Sequence, residues 1–161
     1  MISVGDTLPG ATLLAMGAEG PAPVELQDKV KGRKVVIFAV PGAFTPTCHS
    51  AHVPSFVRTK SDLEAKGVDE VICVSVNDPF VMDAWGDASG ASEAGITLLA
   101  DPQSEFTRAV GMQFDAPVVG LMGRSKRYAM VVEDGKVTHL NVEDDPGACD
   151  VSAGEAILEA L

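Results

Sequence analysis

Lys34-Val35-Val36-Ile37-Phe38-Ala39-Val40, held between Gly32 and Pro41-Gly42, is the stretch that decides how this chain reads. A β-branched apolar run of that length between turn residues reads as a strand covered on both faces, as in a sheet with helices above and below it. Pro41, which has no backbone donor, ends it. Beyond the loop Pro41-Gly42-Ala43-Phe44, Thr45 followed by Pro46 fits an N-cap with proline at the first helical position. A helix is expected from Pro46 to the stop at Gly67. Pro54 should kink or interrupt it, since its ring removes one donor and crowds the preceding turn, while Val53, Phe56, Val57 and Leu63 keep the helical spacing.

The alternation continues downstream. Val71 to Val76 reads as a second buried strand, closed by Asn77-Asp78-Pro79, with a helix over Phe80 to Trp85. Ile96 to Ala100 reads as a third strand, and Asp101-Pro102 opens a helix over Ser104 to Val110. Tyr128 to Val132 and Lys136 to Leu140 flank Glu133-Asp134-Gly135, a short Gly-containing connection typical of a hairpin. A last helix is expected over Ser152 to Leu161, and Gly17 to Pro23, the loosest stretch, reads as a surface loop. This order gives an α/β fold in three layers, a mixed central sheet flanked by helices, for which a thioredoxin-like arrangement fits.

The chain has 161 residues without an internal repeat or low-complexity tract, so one domain over 1–161 is expected. Its 12 Lys and Arg against 23 Asp and Glu leave a net charge of −11, which repels phosphate backbones and anionic membrane surfaces. Neither a nucleic acid nor a membrane is an expected partner. The opening residues Met1-Ile2-Ser3-Val4-Gly5-Asp6 do not resemble a signal peptide, and a cytoplasmic location is expected. The three cysteines, Cys48, Cys73 and Cys149, are odd in number and irregular in spacing, which argues against a secreted disulfide framework and leaves one free for chemistry.

Cys48 is the first candidate. Ligands of open α/β sheets bind beyond the carboxyl ends of the strands, where Pro41 to Cys48 lies. With Thr45 as cap, Cys48 is the third helical residue, where unpaired N–H groups and the helix dipole favour a thiolate. Turning an ordinary cysteine into one mostly ionised at neutral pH takes roughly 3.4 kcal/mol. A helix terminus contributes about 0.3–2 kcal/mol, so a cation is expected beside the sulfur. Gly123-Arg124-Ser125-Lys126-Arg127 supplies candidates. Arg127, nearest the following strand, is expected to be held over the sheet edge while Arg124 and Lys126 stay in water. A plain basic surface cluster is the alternative. An arginine remains charged at any relevant pH and can donate to both a thiolate and an oxygen-bearing substrate.

Pro41-Gly42-Ala43-Phe44-Thr45-Pro46-Thr47-Cys48 resembles the peroxidatic-cysteine motif of the peroxiredoxins, P-x-x-x-T-x-x-C. Val74-Ser75-Val76-Asn77-Asp78-Pro79-Phe80, Trp85-Gly86, Leu98-Leu99-Ala100-Asp101-Pro102 and Arg127-Tyr128-Ala129-Met130-Val131-Val132 are similar to the peroxiredoxin-5 (type II) subfamily, and the similarity covers almost the whole chain. The resemblance implies a thioredoxin-like fold and thiol-dependent reduction of hydrogen peroxide and organic hydroperoxides through a cysteine sulfenic acid. Regeneration would come from glutaredoxin and glutathione or from thioredoxin, with no metal or organic prosthetic group, in a monomer or homodimer. It further implies Cys48 as nucleophile, Thr45 as the hydroxyl that hydrogen-bonds peroxide and thiolate, Pro41 as a shield, and Arg127 as the essential arginine. Cleaving an O–O bond with sulfur requires an ionised thiol, a donor for the departing oxygen and exclusion of water. Cys48, Arg127 with Thr45, and Pro41 with Phe44 would supply these.

Cys149, in the acidic loop Glu143-Asp144-Asp145-Pro146-Gly147-Ala148-Cys149-Asp150, is a possible resolving cysteine or an incidental thiol. Cys73, within an apolar strand, reads as core. Cys48 and His52 at i, i+4 look like half a metal site, but no ligand stands at the spacing that would complete it, and no metal is expected. His49, His52 and His139 read as structural, and Asp78 and Asp101 as helix caps. Phe114, Leu121 and Met122, if exposed, would suit a dimer surface. Two other functions fit a single reactive cysteine: a hydrolase or transferase using Cys48 with His49 or His52 as base, and a non-catalytic thioredoxin-like binding module or redox sensor.

Overall fold

Alternation along β3 (Lys34–Val40) sorts the core into two halves. Val35, Ile37 and Ala39 point into one apolar cluster, and Val36, Phe38 and Val40 into another. All six are buried, as the unbroken apolar run requires. The computed structural model describes residues 1–161.

The strands around β3 build a seven-stranded sheet in the order β2 (Gly20–Glu25), β1 (Thr12–Gly17), β5 (Thr97–Ala100), β4 (Glu70–Ser75), β3, β8 (Tyr128–Glu133) and β9 (Lys136–Val142). β4 lies parallel to β3 and β5 parallel to β4. β8 runs antiparallel to β3, and β9 returns beside it. The β8–β9 turn is Asp134-Gly135, both at positive φ (48° and 79°), the geometry that a two-residue Asp-Gly hairpin turn demands. β1 and β2 form a hairpin at the other edge.

That hairpin corrects the loop expected at Gly17 to Pro23. Pro21 and Pro23 lie in β2, whose only neighbour in the sheet is β1, and an edge strand tolerates prolines because its outward N–H positions need no partner. A small second sheet, β6 (Gln113–Ala116) with β7 (Leu121–Ser125), was not foreseen either.

Helices cover both faces. α1 (Leu26–Val30) and α4 (Glu105–Ala109) close one half of the core through Leu26, Val30 and Phe106. α2 (Val53–Ala65), α3 (Pro79–Ser89) and α5 (Gly154–Ala160) close the other through Phe56, Leu63, Met82, Trp85 and Ile157. Gly154 lets α5 start hard against α2. A Cβ there would lie 2.5 Å from the Ser55 carbonyl oxygen, and the Gly154 N–H instead donates to Ser55 Oγ at 2.9 Å. The whole is the mixed α/β, thioredoxin-like architecture expected.

Pro54 does not break its helix. Cys48–His52 forms a π turn that runs directly into α2, with the Val53 N–H donating to the Cys48 carbonyl five residues back. Pro54 has no N–H for the carbonyl four residues before it and crowds that turn, and a widened turn accommodates both defects without ending the helix. Cys48 and His52 are the two ends of this turn, and both are buried.

Candidate active site

The parity that sorts the core also aims Arg127. Ala129 and Val131 of β8 face the α2 half of the core, and Arg127, two residues before Ala129, falls on the same side. Its side chain is 1% exposed. Every nitrogen of the guanidinium has a partner: Nη2 donates to Cys48 Sγ at 3.0 Å, Nη1 to His52 Nδ1 at 2.9 Å, and Nε to the Pro146 carbonyl at 3.0 Å. A buried cation is tolerable only when its donors are satisfied in this way.

Thr45 completes the cradle around the sulfur. Its hydroxyl lies 2.8 Å from Cys48 Sγ and 2.7 Å from the Gly42 carbonyl, and its single hydrogen serves one of them at a time. The Thr45 carbonyl accepts the first helical bond, from the His49 N–H at 3.0 Å, which is the N-cap role expected of it. Its hydroxyl, however, accepts from no helical N–H and is shared between the sulfur and the Gly42 carbonyl. Pro41 is buried beside Thr45, whereas Phe44, at φ 64°, is 52% exposed and stacks on His49, so shielding falls to Pro41 more than to Phe44.

His52 is the residue whose place the sequence did not suggest. Its Nε2 sits 2.9 Å from the Ser152 carbonyl, which assigns the N–H there and leaves Nδ1 as the acceptor for Arg127. Burial, reinforced by the charge of Arg127, lowers its pKa from 6.5 to about 3, so the ring is neutral. Phe38 and Phe56, stacked with centroids 4.2 Å apart, pack against it. His49 points elsewhere and accepts from Trp85 Nε1 at 3.0 Å. Both histidines are thus committed, and neither is set as a base for Cys48. No group of three His, Cys, Asp or Glu side chains is arranged to hold a metal ion.

The loop before α5 closes the site. Glu143, 7% exposed, accepts from the Asp150 N–H, the Ser152 N–H and the Ser152 hydroxyl. Burial alone would raise its pKa, but these bonds outweigh that and hold it below the usual carboxylate value. Between the two ends of this clamp, Pro146 accepts from Arg127, and Gly147 accepts from Thr47 Oγ1 at 2.9 Å. A cavity of about 420 Å³ opens over the sulfur's surroundings, lined by Pro41, Thr45, Phe114, Leu121, Arg127 and Pro146 among others.

The Redoxin family model matches residues 3–158. Peroxiredoxin-2B of Arabidopsis thaliana is 42% identical over 161 residues, covering 99% of this chain and 98% of its own. The chain belongs to the peroxiredoxins. Peroxiredoxin-2E-2 of Oryza sativa subsp. japonica, a chloroplastic protein, is 48% identical over 99% of this chain and 72% of its own length. Among solved structures, reduced Prx3 of Vibrio vulnificus in complex with hydrogen peroxide superposes with a TM-score of 0.92 at 48% identity, covering 99% of both chains. Peroxiredoxin 5 of Alvinella pompejana gives a TM-score of 0.85 at 34% identity, covering 99% of this chain and 97% of its own. This peroxiredoxin is accordingly a thiol-dependent peroxidase, an oxidoreductase.

Cys73 is fully buried in β4, and burial, followed by the neighbouring Cys48 sulfur, pushes its pKa well above the ordinary value. Cys149 is half-buried and unpaired, in the loop that Glu143 clamps, and partial burial raises its pKa. Arg124 corrects the expectation that it stays in water: its Nη1 donates to the Pro41 carbonyl at 3.1 Å. Asp78 caps α3 through the Val81 N–H at 2.8 Å, as expected. Asp101 accepts from the N–H groups of Phe106 and Thr107 and from the Thr107 hydroxyl. Phe114 and Leu121 are half-buried and line the cavity, so of the three residues expected at an apolar surface only Met122 is exposed, joined by Val118 and Val119. No helix is long and apolar enough to cross a membrane.

Proposed function

We propose that Cys48 is the peroxidatic nucleophile of a thiol peroxidase acting on hydrogen peroxide and organic hydroperoxides. The observation that carries this reading is the pair of donors on one fully buried sulfur, Thr45 Oγ1 at 2.8 Å and Arg127 Nη2 at 3.0 Å. A thiolate so held attacks the terminal oxygen of ROOH. The S–O bond forms as the O–O bond breaks, the O–O electron pair leaves with RO⁻, and sulfur is oxidised by two electrons to the sulfenic acid Cys48–SOH. RO⁻ then takes a proton to become ROH. Arg127 and Thr45 stabilise the developing charge, and Pro41 keeps water from the sulfur. Sulfur supplies both electrons, and the reaction as read here needs no bound metal or organic cofactor.

Regeneration needs a second thiol: R′SH converts Cys48–SOH to a mixed disulfide with loss of water, and a further thiol releases Cys48–SH. Cys48 is buried in the closed fold, so a thiol carried on a protein or peptide, bulkier than a peroxide, reaches it only after the first helical turn opens. We read the reductant as glutaredoxin with glutathione, or thioredoxin, with Cys149 as an optional internal resolver and a single domain over 1–161 acting as monomer or homodimer. Three unpaired thiols suit a reducing compartment, the cytoplasm in this reading, although relatives include chloroplastic and mitochondrial proteins.

The test is steady-state peroxide consumption with each reductant system in turn, for the native chain, Cys48→Ser and Cys149→Ser. Cys48→Ser should be inactive with all of them. Full turnover by that variant would refute the nucleophile. Loss of turnover in Cys149→Ser with thioredoxin, but not with glutathione and glutaredoxin, would identify the internal resolver.

A further inference from the structure

The loop that carries Pro41 is pinned from two directions. Asn77, beyond the end of β4, accepts from the Ala43 N–H at 3.0 Å, and Arg124, on β7, donates to the Pro41 carbonyl at 3.1 Å. The Arg124 guanidinium also lies against Gly42. A Cβ at that position would lie 2.6 Å from Arg124 Nη1 and 3.1 Å from Thr45 Cγ2. Gly42 has no positive φ, so the absence of a side chain here answers to contact and not to backbone conformation. Glycine at 42 is what allows the guanidinium to reach the carbonyl one residue earlier. The Gly42 carbonyl, in turn, is the second acceptor of the Thr45 hydroxyl.

From this chain of contacts we infer that Arg124 is a positioning residue of the peroxide site. By holding the Pro41 carbonyl against the unsubstituted Gly42, it sets Pro41 over the sulfur and keeps the Thr45 hydroxyl aimed at it. Arg127 touches the sulfur. Arg124 touches only the loop that shapes the approach to it. The two arginines, three residues apart on one segment, therefore divide the work: one holds the nucleophile, the other holds the wall past which the hydroperoxide arrives. This rests on the reading of Cys48 as the nucleophile.

A positioning role predicts that loss of Arg124 slows reaction with peroxide without slowing reaction of the same sulfur with a reagent that needs no donor geometry. The experiment compares the rate constants of Cys48 with hydrogen peroxide and with iodoacetamide in the native chain, Arg124→Met, Arg124→Lys, Gly42→Ala and the Arg124→Met/Gly42→Ala pair. Arg124→Met should lower the peroxide rate constant about tenfold or more, as misplacement of a reacting group does, while alkylation stays within about twofold. Arg124→Lys, which can still donate once to the carbonyl, should recover most of the loss. Gly42→Ala should lower the peroxide rate constant when Arg124 is present, and the pair should fall below Arg124→Met only by the direct pressure of the new Cβ on Thr45 Cγ2. An unchanged peroxide rate in Arg124→Met would overturn the inference, as would peroxide and alkylation rates falling together. Should Arg124→Met not fold, Arg124→Gln is measured in its place through the same two rate constants. Cys48→Ser, run alongside, must be inert to peroxide; activity there would overturn the nucleophile reading on which the inference stands.

Discussion

Cys48 and Cys73 lie in the same half of the core, both fully buried, within one apolar cluster. Cys48 has a hydroxyl and a guanidinium at hydrogen-bond distance. Cys73 is packed within that cluster, and burial first, then the neighbouring Cys48 sulfur, pushes its pKa well above the ordinary value. Equal burial with opposite surroundings separates two effects that are often merged. Removing water protects a sulfur from solvent, but only donors arranged around it can support a thiolate there and receive the charge that leaves it.

Removing the donors should therefore make Cys48 resemble Cys73. The largest expected effect is in Arg127→Met, which strips the guanidinium from the sulfur, from His52 and from the loop at Pro146 together. The rate constant for oxidation by hydrogen peroxide should fall about 10²- to 10³-fold, the cost of losing a preorganised donor, and stopped-flow mixing would measure it. Arg127→Lys should rescue little, since one ammonium cannot serve three partners in the plane that the guanidinium fits. A wild-type rate in either variant would show that burial suffices after all.

His52 sharpens the comparison on the side of stability. Its pKa in the fold, about 3, is below the 6.5 of the unfolded chain, so between those values the unfolded state binds the proton and the folded state does not. Stability should then fall as pH drops below 6.5, by about 1.4 kcal/mol per unit, and the loss should be complete near pH 3. Glu143, held below its ordinary 4.5, adds to this only in the lower part of the range. Urea unfolding at pH 7 and pH 5 would show the slope in the native chain and a shallower one in His52→Gln. Cys73→Ala should have the smallest effect: about 0.5–1.5 kcal/mol of stability for a small core truncation, and a peroxide rate changed by less than about twofold.

Much of this was legible in the sequence where the signal is local. β3, β4 and the β8–β9 hairpin are apolar runs closed by Pro, Asn-Asp-Pro or Asp-Gly, and each was found within a residue or two of its ends. Cys48, Thr45 and Pro41 lie within one loop and one helical turn, so their proximity follows from spacing. The edge hairpin of β1 and β2 was hidden because its prolines read as loop, and they are harmless only on a strand without an outer neighbour. His52 and Arg124 were hidden for a different reason. Their partners lie 75 and 83 residues away in the chain, and no local pattern reports such meetings. The i, i+4 spacing of Cys48 and His52 did place both on one helix face. Together with the parity of β8, that shared face is what brings both to Arg127.

One measurement bears most directly on the contrast between the two thiols. The reduced protein is mixed with one equivalent of hydrogen peroxide in the presence of dimedone, and peptide mass spectrometry locates the adduct. The label should appear on Cys48 within seconds and be absent from Cys73. A label on Cys73 at comparable yield, or none on Cys48 while peroxide is consumed, would contradict the assignment of reactivity to the sulfur held by Thr45 and Arg127.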